Sequence, residues 1–158
     1  MTHDDLIERA NITDHVLKYA TGIDRRQWDL YRSIFADEVI MDFSSWSGSP
    51  ASTMSADDWT AGVRATLEPF DATQHVLTNF VVDIAGDSAA CTCYMSAHHH
   101  LVIHGERHLH SIGGYYVHKL ERGNDGWLIH GSTLNVTWEM GDRGLFDLAA
   151  RRGADAIV

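Results

Sequence analysis

The second half of the chain constrains the fold most, because four long strand-like runs follow one another after Pro69. The runs are ATQHVLTNFVVDIAGD, SAACTCYMSAHHHLVIH, ERHLHSIGGYYVHKLERG and DGWLIHGSTLNVTWEMG, and the turn signals AGDS, HGER and GNDG break them. Such runs, separated by turns rich in glycine and aspartate, predict a meander of antiparallel strands. A sheet of strands this long must curl, so the predicted shape is a cone with an internal pocket.

The first half of the chain has the pattern of helices. The segments NITDHVLKYATGI and RRQWDLYRSIF repeat apolar residues at helical spacing, and SADDWTAGVRATLEPF reads as a third helix capped by Ser55. A strand is predicted in DEVIMDFSS, and DRGLFDLAARRG is predicted to form a short closing helix. Helices followed by a meander indicate the α+β class, and we expect residues 1–158 to form one domain.

Charge and composition limit the classes of partner that the chain is expected to bind. A formal net charge of −10 opposes polyanions, so we expect no nucleic-acid partner. No apolar run approaches the length that crosses a bilayer, so we expect no membrane partner. The beginning of the chain is polar and acidic, unlike a signal peptide, and Cys91 and Cys93 are predicted to be small buried groups in a reducing compartment. A cytoplasmic location is therefore expected.

Seven of the 11 histidines lie at position 75 or between positions 98 and 110. With a two-residue turn at 105–106, side chains alternate so that His98, His100 and Ser111 share one face of the sheet. We predict that this face is the concave one, with His99, His108 and His110 on the convex face. A His-x-His pair can supply two zinc ligands, but the two such pairs point to opposite faces and no HExxH motif is present. We predict no metal, with a metal site on His98 and His100 as an alternative.

Asp24, in the segment GIDRRQ, admits two explanations. It could cap the second helix, with Gln27 completing a capping box and Gly22 ending the first helix. It could instead pair with His75 of TQH, because histidine is the natural base near neutral pH and a carboxylate on its far nitrogen fixes the tautomer. Both explanations remain open from the residues alone.

Four segments resemble the SnoaL-like branch of the nuclear transport factor 2-like superfamily. They are GIDRRQWDLYRSIFADEVIMDFSSW, TQH, HLHS and GWLIHGSTLNVTWEMG, and the resemblance spans about residues 8 to 148. Its members include scytalone dehydratase, the hexachlorocyclohexane dehydrochlorinases and bile acid 7α-dehydratase. The resemblance implies a cone-shaped α+β barrel, with N-terminal helices packed on a strongly curved and mostly antiparallel sheet. It also implies eliminations without a cofactor, and often a trimer.

The resemblance also implies site residues. The catalytic pair falls on Asp24 and His75, and the assisting tyrosine falls on Tyr19. The second histidine of scytalone dehydratase falls on His100, with His98 selected by a two-residue slip, and the pocket serine falls on Ser111. Phe43 stands where that enzyme has a tyrosine, and Gly113 where it has an asparagine. The arginine used by bile acid 7α-dehydratase has no obvious counterpart near Trp138. These departures leave the substrate open.

The predicted function is a cofactor-free lyase of the dehydratase or dehydrohalogenase type, acting on a small apolar and possibly cyclic substrate. His75 would take a proton from carbon, Asp24 would orient it, and Tyr19 or His100 would assist the leaving group. Phe43, Trp46 and Trp138 are expected to line the pocket. The alternatives are a non-catalytic small-molecule-binding domain and a cofactor-free isomerase or cyclase. We expect a homo-oligomer, with a trimer favoured and a dimer possible.

Overall fold

The computed structural model describes residues 2–155, which form five helices and one six-stranded sheet. The elements in chain order are α1 (His3–Asp24), α2 (Trp28–Arg32), β1 (Phe35–Asp42), α3 (Ser44–Ser47), β2 (Ser52–Ser55), α4 (Ala56–Leu67), β3 (Ala72–Ala85), β4 (Ser88–Ile103), β5 (Glu106–Gly123), β6 (Gly126–Gly141) and α5 (Leu145–Asp155). The order in the sheet is β2-β1-β6-β5-β4-β3, and only β1 and β6 pair in parallel. The predicted α+β class, with N-terminal helices on a curved and mostly antiparallel sheet, is confirmed.

The join between α1 and α2 differs from its capping prediction. Asp24 is the last helical residue of α1, and α2 begins after Gln27 without a side-chain cap. Gly22 lies inside α1, where an added Cβ would come within 2.8 Å of the Cβ of Tyr31. The glycine is therefore needed for the close approach of α2 to α1, and the Asp24 carboxylate is free to point elsewhere.

A bulge in β3 decides which of its side chains point inward. One extra residue is accommodated around Asn79, whose φ is 53°, so the register between β3 and β4 shifts there. The two-residue turn after β3 would otherwise place His75 opposite His98, whereas the bulge places it opposite Ala97. His75 thus shares a face with the odd-numbered residues of this part of β4, because side chains alternate along a strand.

A second bulge, in β6, also changes which side chains point inward. Val136 pairs with Gly114 and Trp138 pairs with Gly113, which leaves Thr137 as the extra residue. Trp138 is consequently turned to the outer face, where 46% of it is exposed and its ring lies directly against Gly113.

The hydrophobic core fills the concave side of the sheet, between the strands and α1, α2, α4 and α5. Its members on the central strands include Met95, Ala97, Leu101, Ile112 and Tyr116. Within residues 2–155, no helix combines the length and apolar character that crossing a bilayer would require.

Candidate active site

A cavity of about 400 Å³ opens on the concave side of the sheet. Aromatic and aliphatic side chains from α1, α3, α4, α5 and the strands form most of its wall. The polar side chains that reach it include His75 of β3, His99 of β4 and Tyr19 of α1. A mostly apolar concavity with a few polar groups is the usual form of a small-molecule site.

Asp24 and His75 are in direct contact beside this cavity. The carboxylate Oδ1 lies 2.7 Å from Nδ1 of the imidazole, and Oδ2 accepts a hydrogen bond of 2.7 Å from the backbone N–H of His75. The His75 side chain is only 5% exposed and that of Asp24 is 21% exposed. Two anchor points on one carboxylate fix the imidazole in place, and Nε2 is the ring nitrogen left for the cavity.

Two further residues support the Asp24 carboxylate. Thr73 donates its hydroxyl to Oδ1 at 3.0 Å, and the Arg26 guanidinium donates to the Thr73 oxygen at 2.8 Å. Arg26 also binds the carbonyl oxygens of Leu67 and Phe70, at 2.9 and 3.3 Å. Burial lowers the pKa of Arg26, while the nearby charge of Asp24 opposes that effect. The guanidinium therefore ties the end of α4 to the C-terminal end of α1.

Tyr19 lines the cavity and is almost completely buried. Burial raises the pKa of its phenol, although hydrogen bonds with the hydroxyls of Tyr31 and Tyr116 act in the opposite direction. Tyr31 in turn accepts a hydrogen bond of 2.9 Å from the Trp59 indole N–H. Tyr19 is accordingly protonated at neutral pH and able to donate.

The second histidine of the cavity is His99. Its ring centroid lies 5.9 Å from that of His75, at nearly a right angle, and only 3% of the residue is exposed. Burial lowers its pKa to about 3, and the neighbouring imidazoles of His75 and His110 act in the same direction. His99 is therefore a neutral group at physiological pH.

The prediction that His98, His100 and Ser111 face the cavity is wrong. The three do share a face, as predicted, but it is the convex one: Ser111 pairs with His98, and Oγ lies 2.8 Å from Nδ1 of that histidine. The bulge around Asn79 explains the error, because it moves His75 from the face of His98 to that of His99. His100 is consequently separated from the cavity by the sheet itself.

The aromatic residues expected in the pocket divide between the two sides. Phe43 and Trp46 line the cavity. Trp138 does not, and that prediction is wrong because the bulge at Thr137 turns the indole outward. No group of three or more His, Cys, Asp or Glu side chains arranged to hold a metal ion occurs within the described part of the chain.

The prediction from sequence missed Thr73, Arg26, His99 and Tyr116 as neighbours of the site. Thr73 could have been found, since it lies two residues before His75 and must share its face of the strand. Tyr116 and His99 could also have been found, because they alternate in phase with the apolar residues Met95 and Ile112 and so share a face of the sheet with them. Arg26 carries no comparable signal, since its φ of 56° and its distant partners depend on the folded chain.

A family comparison agrees with this architecture. The model of the SnoaL-like domain matches residues 4–133. The chain belongs to this family. The resemblance noted in the sequence is thereby confirmed at the level of family and fold.

Solved structures share the fold over nearly the whole chain. A protein from Kribbella flavida is 28% identical, with a TM-score of 0.82, over 93% of this chain and 99% of its own. A protein from Novosphingobium aromaticivorans, provisionally named a scytalone dehydratase, is 17% identical, with a TM-score of 0.78, over 90% and 93%. A type 2 hexachlorocyclohexane dehydrochlorinase is 22% identical, with a TM-score of 0.71, over 89% and 93%. At such identities the last two similarities establish the fold alone.

Proposed function

We propose that this SnoaL-like protein is a lyase that works without a cofactor and eliminates a small group from an apolar, cyclic substrate. The observation that carries the proposal is the Asp24–His75 contact of 2.7 Å at the edge of an apolar cavity. The names of two structural neighbours, a dehydratase and a dehydrochlorinase, are in keeping with this reaction class.

His75 is the proposed base. The ionised Asp24 can only accept hydrogen bonds, so Nδ1 of His75 carries its hydrogen and Nε2 presents a lone pair to the cavity. When Nε2 takes a proton from the carbon beside a carbonyl or another activating group, the imidazolium forms next to the carboxylate that stabilises it. Thr73 keeps the carboxylate turned toward the ring during this transfer.

Departure of the leaving group requires assistance from a second group in the cavity. We propose Tyr19 and His99 for this role, because both reach the cavity and His100 does not. Burial raises the pKa of Tyr19, so its hydroxyl keeps its hydrogen at neutral pH and can donate it to a ligand.

The wall of the cavity suits a flat apolar molecule. Phe43 and Trp59 pack edge to face at 4.9 Å between ring centroids, and Trp46 also lines the cavity. Aromatic surfaces of this kind favour cyclic substrates. Scytalone and hexachlorocyclohexane, which appear in the names of two structural neighbours, are therefore suitable first probes.

The proposal is tested by incubating the purified chain with scytalone, with hexachlorocyclohexane and with a panel of cyclic β-hydroxy ketones. Mass spectrometry would detect the loss of water or hydrogen chloride. His75→Ala is expected to lower the rate by about 10²–10⁴-fold without unfolding the protein, since that is the usual contribution of a positioned base. A product of unchanged mass would indicate an isomerase or cyclase. Tight binding without conversion would indicate a binding domain.

The remaining expectations concern the state of the protein. We propose that residues 1–158 act as one domain in the cytoplasm and assemble as a homo-oligomer, with a trimer favoured over a dimer. The convex face supports assembly, because large apolar side chains are exposed there: Tyr94, Leu109, Trp138 and Met140. The charge of −10 argues against a nucleic-acid partner.

A further inference from the structure

His110 is completely buried, yet the proposed proton abstraction does not use it. It lies beside His99 on the concave face, with its ring packed against the aromatic rings of Trp46 and Phe146. A buried imidazole is expected to satisfy both ring nitrogens. Those of His110 do so with Nδ1 of His99, at 3.4 Å, and with Oε1 of Glu139, at 2.8 Å.

Glu139 fixes the position of one hydrogen on the His110 ring. Arg143 donates to both carboxylate oxygens of Glu139 at 2.9 Å, and its guanidinium lies 3.8 Å from the centroid of the Trp46 ring. The hydrogen bonds from Arg143, and next the one from His110, lower the pKa of Glu139. An ionised carboxylate only accepts, so Nε2 of His110 must carry a hydrogen.

The His99 end then depends on the charge of His110. Two Nδ1 atoms that face each other can share only one hydrogen. When His110 is neutral, its Nδ1 is bare, so His99 supplies the hydrogen from its own Nδ1 and keeps a lone pair on Nε2. When His110 takes a second proton, its Nδ1 becomes the donor, and the hydrogen of His99 must lie on Nε2. One proton on His110 therefore changes His99 from an acceptor to a donor.

We propose that Glu139, His110 and His99 form a proton relay that ends at the cavity, with the Glu139 carboxylate stabilising the charged ring of His110, and that the substrate therefore loses a hydroxyl group rather than a halide. A departing hydroxide needs a proton, whereas a halide is stable as an anion. This inference rests on the proposed elimination and specifies its leaving group. His110 and Glu139 act through His99, so they are positioning residues.

The relay balances in protons and electrons. His75 removes the proton from carbon, the C–H electrons form the new double bond, and the C–O pair leaves with oxygen. That oxygen takes the Nε2 hydrogen of His99 and departs as water, while Nδ1 of His99 takes the Nδ1 hydrogen of His110. His75 then releases its proton to solvent. A proton that Nε2 of His99 takes up from the cavity returns the Nδ1 hydrogen of His99 to Nδ1 of His110, which recharges the relay.

Few charged or titratable side chains face His110. The titratable or charged groups that face it are His99 from β4, Glu139 from β6 and, through Glu139, Arg143 from the segment after β6. From α3 and α5 it is faced by the rings of Trp46 and Phe146, which do not titrate.

The first experiment is ¹⁵N NMR of the full chain labelled at its histidine nitrogens. The hydrogen of His99 should move from Nδ1 to Nε2 at the same midpoint pH at which His110 becomes charged. In Glu139→Gln the change of His99 tautomer should occur at a lower pH, because a nearby carboxylate favours the charged ring of His110. Glu121→Gln is the matched control, because it removes a carboxylate whose Oε1 lies 3.7 Å from Nε2 of a different histidine, His130. This change should leave His99 unaffected. A His99 tautomer that stays constant while His110 titrates would overturn the relay.

The second experiment compares a hydroxyl-losing probe, scytalone, with a chloride-losing probe, hexachlorocyclohexane. Glu139→Gln should slow the first by about 10²-fold, the lower end of the usual contribution of a positioned proton donor, and leave the second nearly unchanged. Asp24→Asn should slow both. If Asp24→Asn slows both probes and Glu139→Gln slows neither or both equally, the relay is wrong and the elimination stands. If Asp24→Asn slows neither, the proposed function is wrong. If the wild type converts neither probe, the tautomer measurement decides on the relay by itself.

Discussion

Asp24 ends α1 with its carboxylate aimed at His75, so substituting this single residue isolates the effect of charge from that of shape. In Asp24→Asn the amide can keep contact with the ring but cannot stabilise an imidazolium. Turnover is expected to fall by about 10²–10⁴-fold, the range associated with positioned acid–base groups. All three contacts to the carboxylate come from donors, so one of them is lost and stability should fall by about 1 kcal/mol.

The measurement pairs the initial rate with the melting temperature of the same preparation. Asp14→Asn provides the matched control, because Asp14 is exposed on the same helix and should leave both quantities unchanged. Normal turnover in a folded Asp24→Asn protein would contradict the catalytic role of the carboxylate.

At the scale of elements, the join between α1 and α2 depends on a missing side chain. An alanine Cβ at position 22 would come within 2.8 Å of the Tyr31 Cβ and 2.9 Å of its Cα. Gly22→Ala should therefore push α2 away from α1 and lower the free energy of unfolding by about 1–3 kcal/mol, as overpacking usually does.

Gly62→Ala is the corresponding control in α4, because a Cβ there meets no atom within 4 Å. That change should be neutral or stabilising, since alanine favours a helix more than glycine does. Chemical denaturation of both variants provides the comparison. Equal stability of Gly22→Ala and the wild type would show that the helices can separate without loss.

The elements themselves were largely predictable from sequence, whereas their faces were not. Turn residues and alternation located the four long strands, and Ser55 correctly marked the start of α4, where it accepts a hydrogen bond of 3.0 Å from the Asp58 N–H. The contact between Asp24 and His75 was also anticipated, because both lie in segments that resemble the family. His98 and Trp138 were misplaced for one physical reason: a bulge is set by long-range pairing and leaves no local periodicity in the sequence.

For the molecule as a whole, two buried neutral histidines predict sensitivity to acid. The pKa values of His99 and His118 are both lowered to about 3, with burial as the largest cause. Between that value and the ordinary value near 6.5, the unfolded chain binds more protons, so stability must fall as the pH falls. At pH 5 each histidine should cost about 2 kcal/mol relative to neutral pH.

Urea unfolding between pH 7 and pH 4.5 measures this slope. His118→Leu should reduce it by close to one proton, because His118 is fully buried and its Nε2 has no hydrogen-bond partner among residues 2–155. His3→Leu, at an exposed position, should leave the slope unchanged. A slope that stays the same in His118→Leu would show that this histidine is not held neutral by the fold.

The assembly of the molecule can be tested on the convex face. Trp138 is 46% exposed there, and its neighbour across the sheet is a glycine. If this face joins subunits, Trp138→Asp should convert the oligomer to a monomer in light scattering, while the isolated subunit stays folded by circular dichroism. Asp125→Asn, in the exposed turn before β6, should leave the mass unchanged. An unchanged mass in Trp138→Asp would place the subunit contact elsewhere.

The bulge around Asn79 sets the register of β3, and so decides which of its side chains point into the cavity. Chain length, rather than the chemistry of any side chain, decides whether His98 or His99 shares the compartment of His75. A deletion of one residue between positions 78 and 81 would turn the side chains of Thr73 and His75 from the concave face to the convex face. The sequence TQH itself would stay unchanged. Among related chains, a one-residue gap at this point would therefore be a stronger sign of changed chemistry than many substitutions in the cavity wall.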